Sequence, residues 1–250
     1  MRNIRRPLIT LIICIAFPSF VLAGDWRVTP IKVVFDRNQK SDIVTVSNEG
    51  SENIRMQVNA MEWTQDGEGK DLYSATDDLI FFPKILQLEK NEKRIIRLGI
   101  KVPAKEAEKT YRLFIREIPG QKEDEGKEVR VAIAIRFGLP VFVSPMKEEV
   151  KGEVEKAELL EGKLNLRIKN PGNTHFTVRN IKARGAGKSG EETFLMETAG
   201  WYILHDTSKA YTMEIPPGTC KKTEIITIET ITDRFTFQNK LDVNKAMCKD

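Results

Sequence analysis

Histidine and cysteine are scarce in this chain of 250 residues, which holds two His and three Cys. A histidine-rich metal centre and a dense disulfide scaffold are therefore excluded. Charge of one sign is lacking too, with 40 Lys and Arg against 36 Asp and Glu. Such a balance creates no global field to recruit nucleic acid. Beyond the first stretch no apolar run is long enough to cross a bilayer, so no membrane insertion of the mature chain is expected. The hydrophobic set still makes up 40% of the residues, enough to build ordinary cores.

The first stretch reads as an address. Arg2, Arg5 and Arg6 form a basic region, Leu8 to Phe17 an apolar one, and Val21-Leu22-Ala23 a cleavage site. This is the pattern of a secretory signal peptide over residues 1–23, with a retained membrane anchor as the alternative. Cleavage after Ala23 removes three Arg and no acid, so 40 − 3 = 37 bases face 36 acids and the mature charge is +1. Cys14 leaves as well. The remaining pair, Cys220 and Cys248, is expected to form a disulfide in an oxidising compartment, two free thiols being the other possibility.

After residue 25 the dominant period is two. Ile54, Met56, Val58 and Ala60 alternate with Arg55, Gln57 and Asn59; Ile96, Leu98 and Ile100 alternate with Arg97 and Gly99; Leu164, Leu166 and Ile168 alternate with Asn165 and Arg167. Alternation places apolar groups on one face of a sheet. Turn chemistry separates the runs at Asn48-Glu49-Gly50, Asp66-Gly67, Asn170-Pro171-Gly172 and Pro216-Pro217-Gly218. Lys101–Lys109 is the one segment that could hold a helical turn. The cleanest break follows Pro145, where a charged stretch succeeds an apolar strand. The expected architecture is all-β, with two immunoglobulin-like sandwiches over 24–147 and 148–250.

Residues 129–143, Val-Arg-Val-Ala-Ile-Ala-Ile-Arg-Phe-Gly-Leu-Pro-Val-Phe-Val, do not alternate cleanly and are long for a strand. Val129, Val131, Ile133 and Ile135 project to one face. Two readings stay open: an ordinary core strand, or an edge strand with a partly exposed apolar row. An exposed row is an aggregation hazard unless pairing with a partner is its purpose.

The segment Tyr111-Arg112-Leu113-Phe114-Ile115-Arg116-Glu117-Ile118-Pro119, followed by the strand ending Pro-Val-Phe-Val-Ser-Pro, resembles the periplasmic chaperones of fimbrial chaperone–usher systems. Val28 to Phe35, Asn53 to Asp66, and Ile168 to Val178 resemble further segments of that family, in order along the mature chain. The wording is similar to the divergent, archaic branch. The resemblance implies two immunoglobulin-like domains in a boomerang and a periplasmic location. It also implies a stoichiometric role: a strand of the first domain completes the sandwich of a fimbrial or pilus subunit, which is then delivered to an outer-membrane usher. By position, the donor side chains are Val129, Val131, Ile133 and Ile135. The family holds the subunit's C-terminal carboxylate with two basic residues. Lys32 matches the first. Pro140 stands where the second, a Lys, is expected, which leaves Arg136 or Arg116 as substitutes, or each as a surface ion pair. Pro140 is also expected to bend the strand or end its pairing.

Enzyme chemistry finds little support. His205-Asp206 is the only adjacent His–acid pair, and neighbours in a strand point to opposite faces. His175 stands alone. Gly185-Ala186-Gly187-Lys188-Ser189-Gly190 resembles the end of a phosphate-binding loop, but Lys182 occupies the position of its first Gly, so a hairpin is expected. No cofactor, metal or catalytic residue is assigned. The alternative function is a periplasmic two-domain binding module or adhesin unconnected with fibre assembly.

Overall fold

The computed structural model describes residues 26–119 and 134–248. Ten strands form the first sandwich. They are β1 (Trp26–Thr29), β2 (Val33–Phe35), β3 (Ser41–Asn48), β4 (Ile54–Gln65), β5 (Asp71–Ala75), β6 (Leu79–Phe82), β7 (Ile85–Leu88), β8 (Lys93–Ile100), β9 (Lys109–Glu117) and β10 (Arg136–Val143). One sheet runs β1-β3-β8-β6, and the other runs β2-β10-β9-β4-β5 with β7 paired to β4. The second sandwich uses β11 (Glu153–Leu160), β12 (Lys163–Asn170), β13 (Phe176–Ala186), β14 (Glu192–Ala199), β15 (Tyr202–Ile203), β16 (Thr207–Glu214), β17 (Ile225–Thr232) and β18 (Thr236–Asp242). Its sheets run β11-β12-β16 and β14-β13-β17-β18, with β15 paired to β13.

Alternation sets the inward faces, as the sequence predicts. Met56, Val58 and Ala60 of β4 are buried between exposed Arg55, Gln57 and Asn59. Leu164, Leu166 and Ile168 do the same in β12. Each sandwich has its own apolar core, one built on residues such as Phe35, Val44, Leu98, Leu113 and Val141, the other on Leu164, Phe176, Ile181 and Ile228. The turn residues act through their side chains. Asn48 Oδ1 accepts from the Gly50 N–H, and Asn170 Oδ1 accepts from the Gly172 N–H. Cys220 and Cys248 are bonded to each other, with their Cα atoms 5.7 Å apart.

Two expectations need correction, and a third holds in part. Residues 101–108 form bends instead of a helical turn; the helical turns among the described residues are 3-10 turns at Cys220–Lys222 and Lys245–Met247. His205 and Asp206 lie in the turn between β15 and β16, with Asp206 at φ 52°, and so are not neighbours on a strand. Pro140 marks the end of the pairing of β10 on one side only. The antiparallel register with β9 runs without a shift from Arg136↔Arg116 through Pro140↔Arg112 to Val143↔Lys109. The parallel ladder to β2 starts only one residue later, at Val141↔Val33, so Pro140 lies outside it. Gly185 to Gly190 forms the expected hairpin between β13 and β14, closed by the Gly187 N–H donating to Glu191 O.

The two sandwiches touch at several points. The turn after β4 is held by Asp66, whose Oδ1 accepts from the N–H groups of Glu68 and Lys70, both at 2.9 Å. These bonds, the one from Lys70 first, hold the Asp66 carboxyl below its ordinary value. The turn reaches the second sandwich, where Arg167 donates to Gly67 O at 2.5 Å and pairs with Glu68, and Lys209 Nζ donates to Gly69 O at 2.8 Å. Behind it a small apolar cluster of Trp63, Phe142 and Leu204, flanked by Tyr202, spans the junction.

Candidate functional site

The site begins with β10. On one side this strand is paired to β9 along its whole length, but on the other β2 covers only Val141 to Val143. Among the described residues, 136–140 therefore present an unpaired edge. The apolar row of the strand runs along the same path. Leu139, Val141 and Val143 are buried in the core of the first sandwich, Phe137 packs against it, and Ile135 emerges 38% exposed. Beside that edge Trp26, Val28, Ile31, Ile135 and Phe137 line an open groove, and Ile31 is among the most exposed apolar residues described. Val129, Val131 and Ile133 lie outside the described residues.

The opposite face of β10 and its neighbours looks away from the core, and registration orders it in rows. Arg136, Arg116 and Gln57 form one row, and Gly138, Phe114 and Asn59 the next. Pro140, Arg112 and Met61 follow, and Phe142 with Thr110 lies nearest the second sandwich. Arg136 and Arg116 are exposed and share one hollow with Gln57, Asn59 and Phe114. Arg136 stacks 3.5 Å over the Phe114 ring, and Arg116 Nη2 donates to Gln57 Oε1 at 2.7 Å. Arg116 and Arg136 are thus brought together. Lys32 is exposed at the other margin of the sheet, one residue before the Val33↔Val141 pair. It precedes β2 by one residue, as Pro140 precedes the paired part of β10.

Where the sandwiches meet, the outward face is covered. Phe142 stacks on the His175 ring at 3.6 Å and 9°, and Trp63 packs edge-on to Tyr202 at 5.2 Å. Thr110 Oγ1 donates to Trp63 O. This covering explains the imperfect alternation of the sequence. In β10 the residues from Leu139 to Val143 are all buried, odd positions by the core and Phe142 by the second sandwich. His175, isolated in the sequence, has a partner from the other sandwich: Glu108 Oε2 lies 2.7 Å from its Nδ1.

Arg112 is the residue the sequence reading passed over. It is only 6% exposed, its guanidinium lies 3.8 Å over the Trp63 ring, and Tyr202 and Trp201 flank it at 5.3 and 5.8 Å. Its Nη1 donates to Gly138 O at 3.0 Å, whereas Nε and Nη2 are buried without a hydrogen-bond partner. Burial pushes its pKa down, opposed by nearby Tyr73, Tyr202 and Asp71. A signal was available: Arg112 interrupts the inward row of Tyr111, Leu113 and Ile115 from the other face, directly across from the anomalous Pro140. Among the described residues, no cluster of three or more His, Cys, Asp and Glu side chains could hold a metal ion, and no helix is long and apolar enough to cross a membrane.

The fold is a tandem of β-sandwiches, with a half-open strand beside a basic and aromatic junction. Comparison identifies the class. Residues 26–148 match the family model described as pili and flagellar-assembly chaperone, PapD N-terminal domain. The chain belongs to this family of pilus-assembly chaperones. It is 24% identical over 185 residues to the protein named Probable fimbrial chaperone LpfB of Escherichia coli O157:H7, covering 72% of this chain and 74% of that one. Its fold is similar to that in the crystal structure of the CsuC-CsuE chaperone-tip adhesion subunit complex from the archaic Csu pili of Acinetobacter baumannii. There the TM-score is 0.56 at 19% identity, covering 90% of this chain and 99% of that one. It is also similar to the Salmonella enterica SafA pilin–SafB chaperone complex, with TM-score 0.54 at 15% identity, covering 88% and 97%.

Proposed function

We propose that this protein is a periplasmic chaperone that binds, folds and caps fimbrial or pilus subunits, then hands them to an outer-membrane usher. The observation that carries the reading is the unpaired edge of β10 at residues 136–140, with the apolar row running out of the core to exposed Ile135. An edge of this kind offers backbone hydrogen bonds for affinity and alternate side chains for specificity. In this reading 129–137 is the donor segment, and Val129, Val131, Ile133 and Ile135 enter the groove of a subunit. Four such side chains offer roughly 6–12 kcal/mol of gross apolar gain, much reduced by the cost of ordering. Lys32 anchors the subunit's C-terminal carboxylate as a point charge. The leader, residues 1–23, is removed on export, and the two working domains are 24–147 and 148–250. Binding is stoichiometric and uses no cofactor.

The test is capture from the periplasm with a tagged mature chain, followed by mass spectrometry. A near-stoichiometric, β-rich subunit is expected, lost with Ile133→Asp and weakened by Lys32→Ala. Loss of folding in free Ile133→Asp would show that strand to be core, and the donor assignment would fall. A partnerless monomer from cells shown to express a candidate subunit would favour a binding module outside fibre assembly.

A further inference from the structure

The two sheets of the second sandwich end in β11 and β16, and in β14 and β18. A bare sheet edge is a template for another strand, and most edges carry a device that blunts it. Three of these do. The ladder of β11 shifts register between Val154 and Lys156, and that of β14 shifts opposite Gly185 and Ala186. β16 lies against the turn after β4, where Lys209 Nζ donates to Gly69 O and a Cβ on Gly69 would meet Ser208 O. β18 has no such device. All its residues from Thr236 to Asp242 are proline-free, and the ladder to β17 runs without a shift.

The sequence of this strand, Thr-Phe-Gln-Asn-Lys-Leu-Asp, is complementary to itself when reversed. Phe237, Asn239 and Leu241 are half-buried, and Phe237 and Leu241 pack on the core; Thr236, Gln238, Lys240 and Asp242 are exposed. Let a second copy lie antiparallel, with Asn239 opposite Asn239. Phe237 then meets Leu241, Gln238 meets Lys240 and Thr236 meets Asp242, each pair occurring twice. Apolar groups face apolar groups, and no like charges stand opposite each other. Moving the centre by one residue loses this match. A centre at Gln238 sets the Phe237 ring against the Asn239 amide, and a centre at Lys240 sets two ammonium groups face to face. Asn239 reinforces the choice. Its side chain has no hydrogen-bond partner among the described residues, and an amide is both donor and acceptor to its own copy. One central polar residue is a recurrent way of fixing register.

Charge agrees with this register. Lys240 has no ion pair among the described residues. Glu229 is the cross-strand neighbour of Gln238 and accepts from its Nε2 at 3.0 Å. In the paired arrangement Lys240 of the partner subunit stands two strands from Glu229, about 10 Å at the backbone, a span that the two side chains bridge.

We propose that β18 pairs with β18 of a second copy of this chain, antiparallel about a two-fold axis through Asn239, so that the larger sheet of the second sandwich continues from one protomer into its partner. Self-complementarity singles out a second copy over an unrelated strand, because the same seven residues supply both halves of the match. The Cys220–Cys248 bond ties down the segment after β18 and keeps the edge in place. The pairing uses no residue of β10, so each protomer keeps its open edge at 136–140. The inference does not rest on the chaperone reading.

The test uses the mature full chain. Sedimentation velocity over two decades of protein concentration is expected to show a reversible equilibrium between monomer and dimer. Lys240→Glu, at an exposed position, is expected to weaken the dimer about tenfold. Asn239→Cys is expected to give a disulfide-linked dimer under mild oxidation, since opposed Cα atoms of an antiparallel pair stand about 4.5–5.5 Å apart. Lys240→Cys, off the axis, is expected to give none. A chain that stays monomeric throughout overturns the proposal. So does a dimer that Lys240→Glu leaves unchanged, or one that cross-links in Lys240→Cys and not in Asn239→Cys. Should Asn239→Cys fail to fold, amide exchange of the parent decides. Exchange at 236–242 is expected to slow as concentration rises while that of β14 does not, and rates independent of concentration overturn the proposal.

Discussion

Glu108 and His175 join the two sandwiches through a single carboxylate oxygen. Glu108 Oε2 accepts from the His175 backbone N–H at 2.9 Å and lies 2.7 Å from its ring Nδ1. Both side chains are buried, and the imidazole stacks on Phe142 of the first sandwich. The carboxylate thus satisfies a buried backbone donor, which no rotation of the histidine could replace.

Glu108→Ala strips both donors of their acceptor. A buried unsatisfied donor costs about 1–3 kcal/mol. For a protein of this size that corresponds to a fall in Tm of roughly 3–10 °C. Glu108→Gln keeps an acceptor for the backbone N–H and is expected to lose less. Thermal unfolding orders the three proteins, and small-angle scattering reads any widening of the interdomain angle. An Ala variant that melts with the parent would show that the apolar cluster alone holds the junction.

Gly69 touches the second sandwich from within the turn after β4. Its φ is +72°, and a Cβ there would stand 2.7 Å from Ser208 O and 2.9 Å from Lys209 Cβ. Gly69→Ala therefore combines a left-handed strain of about 1 kcal/mol with a clash against backbone. The expected result is displacement of the turn and loss of the Arg167–Glu68 contact, seen as chemical-shift changes on both sides of the junction. Gly67→Ala, with nothing within 4 Å of its added Cβ, is the matched control.

Most of the sandwich architecture was legible because one-sided sheets leave a period of two. Met56, Val58 and Ala60 announced their face, as did Leu164, Leu166 and Ile168. The junction was not legible, because it covers the second face of strands already buried on the first. Trp63 and Phe142 fall out of phase with their own cores and look like faults in the pattern until the other sandwich is in place. Arg112 was hidden for the same reason: local sequence offers it as one more outward residue, and only the register with Pro140 and the rings of Trp201 and Tyr202 give it meaning. The effect of Pro140 was legible on one side only: the ladder to β2 begins just beyond it, whereas that to β9 runs through it.

Asp78 contributes to the pH dependence of the first sandwich. Its Oδ2 accepts from Lys109 Nζ and from the Tyr111 hydroxyl, both at 2.9 Å. The bond from Lys109, aided by that from Tyr111 and opposed by burial, holds the Asp78 carboxyl below its ordinary value. Burial first, and then Asp78, raises the Tyr111 hydroxyl above its own. A depressed carboxyl stabilises the fold fully above its unfolded value, near 3.9, and loses that contribution as pH falls through the folded value. With the pair one-third exposed, the contribution is about 1 kcal/mol or less. Urea midpoints between pH 2 and 6 should fall less steeply in Asp78→Asn than in the parent. Identical slopes would remove Asp78 from the account.

The bond between Cys220 and Cys248 ties the turn before β17 to the segment after β18, and so closes the edge of the larger sheet of the second sandwich. β18 is paired only to β17, and its burial alternates between half-buried and exposed, so packing holds it weakly. The tether matters most for such an edge strand. A sequence separation of 28 gives about 3–4 kcal/mol in the chain-entropy model. Cys220→Ser with Cys248→Ser, or reduction of the parent, should therefore lower the unfolding free energy of the second sandwich by about that amount. Hydrogen exchange should rise first at β18. The first sandwich, whose core shares no residue with this one, should keep its protection. A uniform loss across both would mean that the two sandwiches unfold as one cooperative unit. Their junction, through Glu108, His175 and the Trp63 cluster, would then be worth more than either edge.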